Sequence, residues 1–256
     1  MGTETDSSAD RQPTGEDLIR RRRRLEETVE PLADCSLLRA TFLPLVAILT
    51  AALVLTIGIA AHRGADPGWP DWTSLVPLGA AYVAVVAGLY WRWDRTTWRA
   101  AAVVRSPTPQ ELGVAVVATA VGVGIVIVGN VAATAVGLDP HARAPVRSTA
   151  GIAALVLTSL VIAPVAEEIL LRGLALGHFL ARGYGVVTAS VLSVTLFALV
   201  HVFVAGAVSI AITGALGVVL TALRLWYDSL VAPWLMHLLV NAWGLTVTIG
   251  LVPTPW

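Results

Sequence analysis

In VIAPVAEEILLRG, residues 161–173, two adjacent glutamates and an arginine interrupt a run of valine, isoleucine, leucine and alanine. A charged side chain at a bilayer centre costs from ~2.5 to more than 10 kcal/mol, so a chain that keeps Glu167, Glu168 and Arg172 there uses them. Glu168 and Arg172 are four apart with the acid first, the favourable order for a same-face ion pair. Glu167 lies about 100° round the helix and is the less neutralised carboxylate. An ion pair pinning a helix end at the membrane interface accounts for Glu168 and Arg172. It leaves Glu167 unexplained.

Two further pairs follow. Phe197 and His201 stand one turn apart in LFALVH, and His237 and Asn241 share a helical face in SLVAPWLMHLLVNAWG. Singly, each has a bland explanation: a histidine on an apolar helix packs against backbone, and an asparagine is interhelical glue. Together, two carboxylates, two imidazoles and an amide make a set able to do acid–base chemistry on water. Glutamate can take a proton from water. Histidine can share that task, donate to a leaving group, or bind zinc through a ring nitrogen. An amide NH₂ and an imidazole N–H can steady a developing oxyanion. Asn130 and His178 lack such partners and are read as structural. Arg224 and Asp228 flank a short turn, where a solvated cap is the default.

The elements that must position these groups are membrane helices. The chain has 256 residues, 56% hydrophobic and only 13% charged, against about 25% charged in a soluble domain. Apolar runs near 40–61, 75–91, 112–138, 149–170, 184–204, 206–223 and 229–250 approach the ~20 residues that cross the hydrocarbon core. With the amino terminus inside and the spans alternating, 14 arginines fall on the cytoplasmic side and 3 outside, the expected bias. Pro164 frees the carbonyl of Leu160 and predicts a kink or break just before the glutamates. The single cysteine, Cys35, excludes an internal disulfide. Residues 1–17 are polar and expected to be disordered. Leu18, Leu25, Val29 and Leu32 then recur at helical spacing around Arg20–Arg24, which would suit an interfacial helix on anionic lipid or a solvated charge run.

In order along the chain, E-E-x-x-x-R (Glu167, Glu168, Arg172), F-x-x-x-H (Phe197, His201) and H-x-x-x-N (His237, Asn241) resemble the signature of the CAAX protease and bacteriocin-processing family. These are intramembrane proteases of the CAAX prenyl protease 2 kind, also called Abi proteins. The flanks APVAEEILLRG and DSLVAPWLMHLLVNAWG are similar to the family's wording, and the likeness covers about residues 149–250. The resemblance implies that Glu167 and His201 activate the attacking water. It implies that His237 and Asn241 stabilise the oxyanion, with Glu168, Arg172 and Phe197 in support. In relatives described as metalloproteases, His201, His237 and a glutamate (Glu167 here) would hold zinc. Without an H-E-x-x-H motif, the preference is slightly for no permanently bound metal.

The expected fold is therefore all-α: a polytopic membrane helix bundle of about seven transmembrane helices around a polar cavity open to the cytoplasm. Residues 1–36 form a basic cytoplasmic tail, 37–148 the N-terminal membrane helices, and 149–256 the catalytic core. Expected partners are the lipid bilayer and a peptide or membrane-protein substrate, lipidated in some relatives; nothing points to nucleic acid. The lysine-free composition fits a bacterial plasma membrane. A proton-coupled transporter would string polar groups across the whole bilayer and show an internal repeat, and neither is seen. A non-catalytic scaffold or immunity protein of the same fold would keep the motifs without turnover.

One difficulty is depth. Counted from Arg182, His201 lies roughly 28 Å along its helix, while His237 lies only ~13 Å along the last one. They meet only if a helix tilts, starts outside the membrane, or ends in a buried turn. A buried turn near Ala205–Gly206 is the expectation.

Overall fold

The computed structural model describes residues 15–36, 39, 75–138, 148–205 and 208–254, with scattered positions between 43 and 58. Among the described residues every element is helical. α1 (Gly15–Val29) ends in a 3-10 turn, Glu30–Leu32, and α2 (Leu75–Arg92), α3 (Arg95–Ala101) and α4 (Pro109–Ala135) follow. α5 is one 33-residue helix, Thr149–Ala181. It is followed by α6 (Val186–Ala205), α7 (Val208–Tyr227) and α8 (Val231–Thr248). Pro109–Ala135, Thr149–Ala181 and Ser209–Tyr227 are long and apolar enough to cross a membrane; Leu78–Arg92 and Val186–His201 are shorter apolar helices. Fewer than the seven expected spans thus meet that length among the described residues. The tail before residue 15, most of the span expected near 40–61, and the turn expected at Gly206 lie outside the described residues.

α5 does not break at Pro164. Its backbone widens just before the proline, over Leu157–Ile162, where Ala163 N–H reaches back five residues to Thr158 O. A π-helical turn holds one residue more than an α-turn, so the ladder is re-phased before the missing N–H and the helix passes through. A second widening covers Glu168–Ala175, the stretch that carries Glu168 and Arg172. π-turns inside α-helices gather at functional sites because they re-aim side chains without ending the helix.

α3 fixes the other side of that stretch. Asp94 caps it, and amide hydrogen bonds from Thr97 and Thr96 hold the Asp94 carboxyl below the usual carboxylate range. At its far end the Ala101 carbonyl comes so close to Gly173 that an added Cβ would meet the oxygen at 1.7 Å. Because the clash is with backbone, no side chain can turn away to relieve it. Gly173→Ala is therefore expected to destabilise the protein by several kcal/mol, of the order of other overpacking defects. The check is a thermal melt in detergent beside the exposed control Gly113→Ala, where a Cβ meets nothing within 4 Å.

Two hairpin turns resolve the depth problem. α5 and α6 are joined by the solvent-facing turn 182–185. Glu167 and His201 each lie about 21–22 Å from it, at 1.5 Å per residue, so they arrive at the same level. α7 and α8 are joined differently. Asp228, Ser229 and Leu230 are all buried, Asp228 with φ 47°. α8 thus starts beneath the surface, and His237, only about 9 Å along it, reaches the same level as His201. This turn is buried, whereas the one expected near Ala205–Gly206 lies outside the described residues.

The expected solvated cap at Arg224 and Asp228 is accordingly overturned: Arg224 is 1% exposed and Asp228 8%. Arg224 Nη1 donates to Asp228 Oδ1 at 2.8 Å, and Arg105 and Thr28 both donate to Oδ2. Arg105 Nε also donates to the Asp228 carbonyl at 2.9 Å. One carboxylate so ties α1, the α3–α4 linker, α7 and the start of α8 together, and local charge pairing replaces solvent. Val29 and Leu32 bury themselves on the same end of the bundle, with the Leu32 carbonyl accepting from His178 Nδ1 at 2.8 Å. The opposite face of α1 is exposed and carries Arg20–Glu16, Arg22–Glu26 and Arg23–Glu27 pairs.

Candidate active site

The motif residues from α5, α6 and α8 come together. Glu168 and Arg172 pair at 3.2 Å with 1% and 0% of their side chains exposed. The pair is not at a helix end, since α5 continues to Ala181. Arg172 Nη2 also donates to Gly217 O on α7 at 3.4 Å, and its guanidinium lies 4.0 Å above the Phe197 ring. A buried ion pair survives only when further contacts offset desolvation, and these supply them.

Phe197 is the pivot of the cluster. Its ring meets His201 edge-on at 4.4 Å and His237 at 5.9 Å between centroids. Its carbonyl lies 2.8 Å from His201 Nδ1. A carbonyl only accepts, so His201 carries its proton on Nδ1 and turns a lone pair on Nε2 toward Glu167. His237 is set the same way by a different partner, with Nδ1 lying 2.9 Å from Glu168 Oε1. A neutral His237 thus also turns an Nε2 lone pair toward Glu167.

Glu167 is buried, and its two oxygens differ. Oε1 accepts from Tyr82 Oη on α2 at 2.7 Å. Oε2 has no hydrogen-bond partner among the described residues. It faces His237 Nε2 at 3.7 Å and His201 Nε2 at 3.8 Å, too far for a direct bond to either. Glu167 Oε2 and the two imidazole Nε2 atoms, from three helices, therefore look at one point. Beside it is a cavity of about 110 Å³ lined by Phe197, His201, Leu216, Leu220, His237 and Asn241, well above the ~10–15 Å³ that one water needs. Asn241 borders it while donating through Nδ2 to the Ser159 carbonyl at 2.8 Å, within the first π-turn.

Glu167, His201 and His237 are the residues that would hold a zinc ion. Ligand bonds of about 2.0–2.2 Å around a tetrahedral ion place neighbouring donors roughly 3.3 Å apart. Here the carboxylate–imidazole separations are 3.7 and 3.8 Å. Among the described residues, no three His, Cys, Asp or Glu side chains are spaced to hold a metal. The set as it stands does not fit the ion.

Residues 149–243 match the family described as Type II CAAX prenyl endopeptidase Rce1-like. Over this stretch the chain is similar to the CAAX protease family. The match spans α5, α6, α7 and the motif-bearing part of α8, so it contains Glu167, Glu168, Arg172, Phe197, His201, His237 and Asn241. With a membrane protease family over α5–α8 and helices long enough to span, the protein is an integral membrane protein. No curated protein and no solved structure matches the chain. Tyr82, which reaches the centre of this candidate site, lies outside the matched stretch and was not singled out from sequence. A tyrosine in an apolar helix reads as packing, and only the fold reveals its partner.

Proposed function

We propose that the protein is an intramembrane endopeptidase that hydrolyses a peptide bond in or beside the membrane, using a water held by Glu167, His201 and His237. The observation that carries this reading is the convergence of Glu167 Oε2 and the two imidazole Nε2 atoms on one point next to a cavity of water-holding size. A water there can donate to Glu167 Oε2 and to the His201 lone pair.

One water proton goes to Glu167 Oε2 and the other toward the His201 lone pair. As the water oxygen bonds the scissile carbonyl carbon, Glu167 takes the first proton and the carbonyl oxygen becomes an oxyanion. Asn241 NH₂ and His237 stabilise it. His237 Nδ1–H is committed to Glu168, so donation to the oxyanion runs through Nε2 when that nitrogen carries a proton. Glu167 then passes its proton to the amine nitrogen as the C–N bond breaks, and the proton left on the new carboxyl goes to His201 Nε2, leaving a carboxylate and an amine. In this reading the amino terminus is cytoplasmic and the cavity is reached from that side, in keeping with the arginine bias.

Comparative membrane peptidomics of wild type against Glu167→Ala tests the proposal. Peptides produced only by the wild type, with one consistent cut site near an apolar or prenylated segment, are expected. Identical peptide profiles at equal expression would point instead to the non-catalytic scaffold.

A further inference from the structure

Tyr82 is 3% exposed on α2, and its hydroxyl lies 2.7 Å from Glu167 Oε1, on the edge of the carboxylate away from the histidines. We infer that Tyr82 is a positioning residue of the active site, holding Glu167 so that Oε2 faces His201 and His237. This rests on the proposed role of Glu167, and it extends the site to a helix that the family match does not cover.

Three observations support it. A carboxylate on a helix can rotate about its terminal torsion, which is broad, so something must fix the plane of the group for one oxygen to face the water. Tyr82 fixes it, because its hydroxyl donates to Oε1 while Oε2 has no partner among the described residues. Next, α2 approaches α5 closely enough only because residue 79, one turn before the tyrosine, is glycine. An added Cβ would lie 2.8 Å from Thr158 Oγ1 and 3.4 Å from Ile162 Cδ1. Finally, these two neighbours lie in the π-turn that precedes Pro164, so the widened backbone and the glycine together bring the hydroxyl into reach. Tyr82 donates to Glu167 when it is ionised and adds no charge of its own to the cluster.

The groups facing Glu167 are Tyr82 from α2, His201 from α6, His237 from α8, and Glu168 and Arg172 from its own helix. Replacing Tyr82 by phenylalanine removes one donor to the ionised form and leaves the others in place. A density map of Tyr82→Phe in a lipid nanodisc reads the carboxylate directly: Glu167 should turn or lose order, so that Oε2 no longer sits 3.7 and 3.8 Å from the two imidazole Nε2 atoms. With a quenched peptide ending in a prenylated CAAX sequence as probe, kcat should fall at least tenfold with KM little changed. A Glu167 carboxylate that keeps its wild-type position and order overturns the inference whether or not the peptide is cut. A displaced carboxylate in a protein whose wild type cuts nothing would keep Tyr82 in this role and remove the protease reading instead.

Discussion

Glu167→Gln is expected to fold normally and to lose peptide hydrolysis by roughly 10²–10⁴-fold, the usual worth of a positioned general base. At about 1.36 kcal/mol per decade this is a barrier increase of about 3–5 kcal/mol. Glutamine keeps the volume and can still accept the Tyr82 hydroxyl, so packing at the α2–α5 contact is preserved. What it lacks is the capacity to take a proton from water. The position opposite the two imidazoles would carry either a weak acceptor or an NH₂ donor. An NH₂ there would pair with the Nε2 lone pair of His201 or His237 and occupy the place of the water. Kinetics on the prenylated CAAX peptide beside a thermal melt separate the two effects. Activity should collapse while the melting temperature moves by no more than a surface substitution would move it.

The second large effect is structural. Arg172→Met is expected to cost about 3–5 kcal/mol, because it leaves Glu168 buried without its countercharge. Arg172 is fully buried, and its loss also empties the space above Phe197, the ring that seats both histidines. The protein should melt far below wild type or fail to accumulate. The double variant Glu168→Gln with Arg172→Met should recover much of the loss, since removing both partners of a buried pair is often neutral. It should not recover activity, because His237 Nδ1 then faces a neutral amide in place of the carboxylate that orients the ring. Melts and turnover of the single and double variants in one detergent check both statements.

The letters of the chain made the site legible more readily than its support. Acidic and basic groups are so scarce in the second half of the chain that Glu167, His201, His237 and Asn241 could be weighed one by one. The fold gathers the first three within 3.8 Å of a shared atom and places Asn241 on the cavity beside them. Pro164 predicts a kink or break because the α-ladder loses a donor there. A π-turn is a local re-phasing that side-chain periodicity does not announce. Arg224 and Asp228 look like a surface turn, since nothing nearby in sequence covers them. Their cover comes from Thr28 and Arg105, far away in the chain. That burial sinks the start of α8 and brings His237 level with His201, which straight counting of helix lengths could not foresee. Tyr82 was invisible for the same reason: its partner lies 85 residues away.

The most direct measurement is an experimental density map of the protein in a lipid nanodisc, sharp enough to show ordered solvent. Glu167, His201, His237 and Asn241 should surround a single water-sized peak, with Glu167 Oε2 and the two imidazole Nε2 atoms each at about 2.7–3.0 Å from it. Imidazoles turned toward lipid, heads parted by more than one water, or a metal at ligand-bond distance would each contradict hydrolysis by a water held in this way.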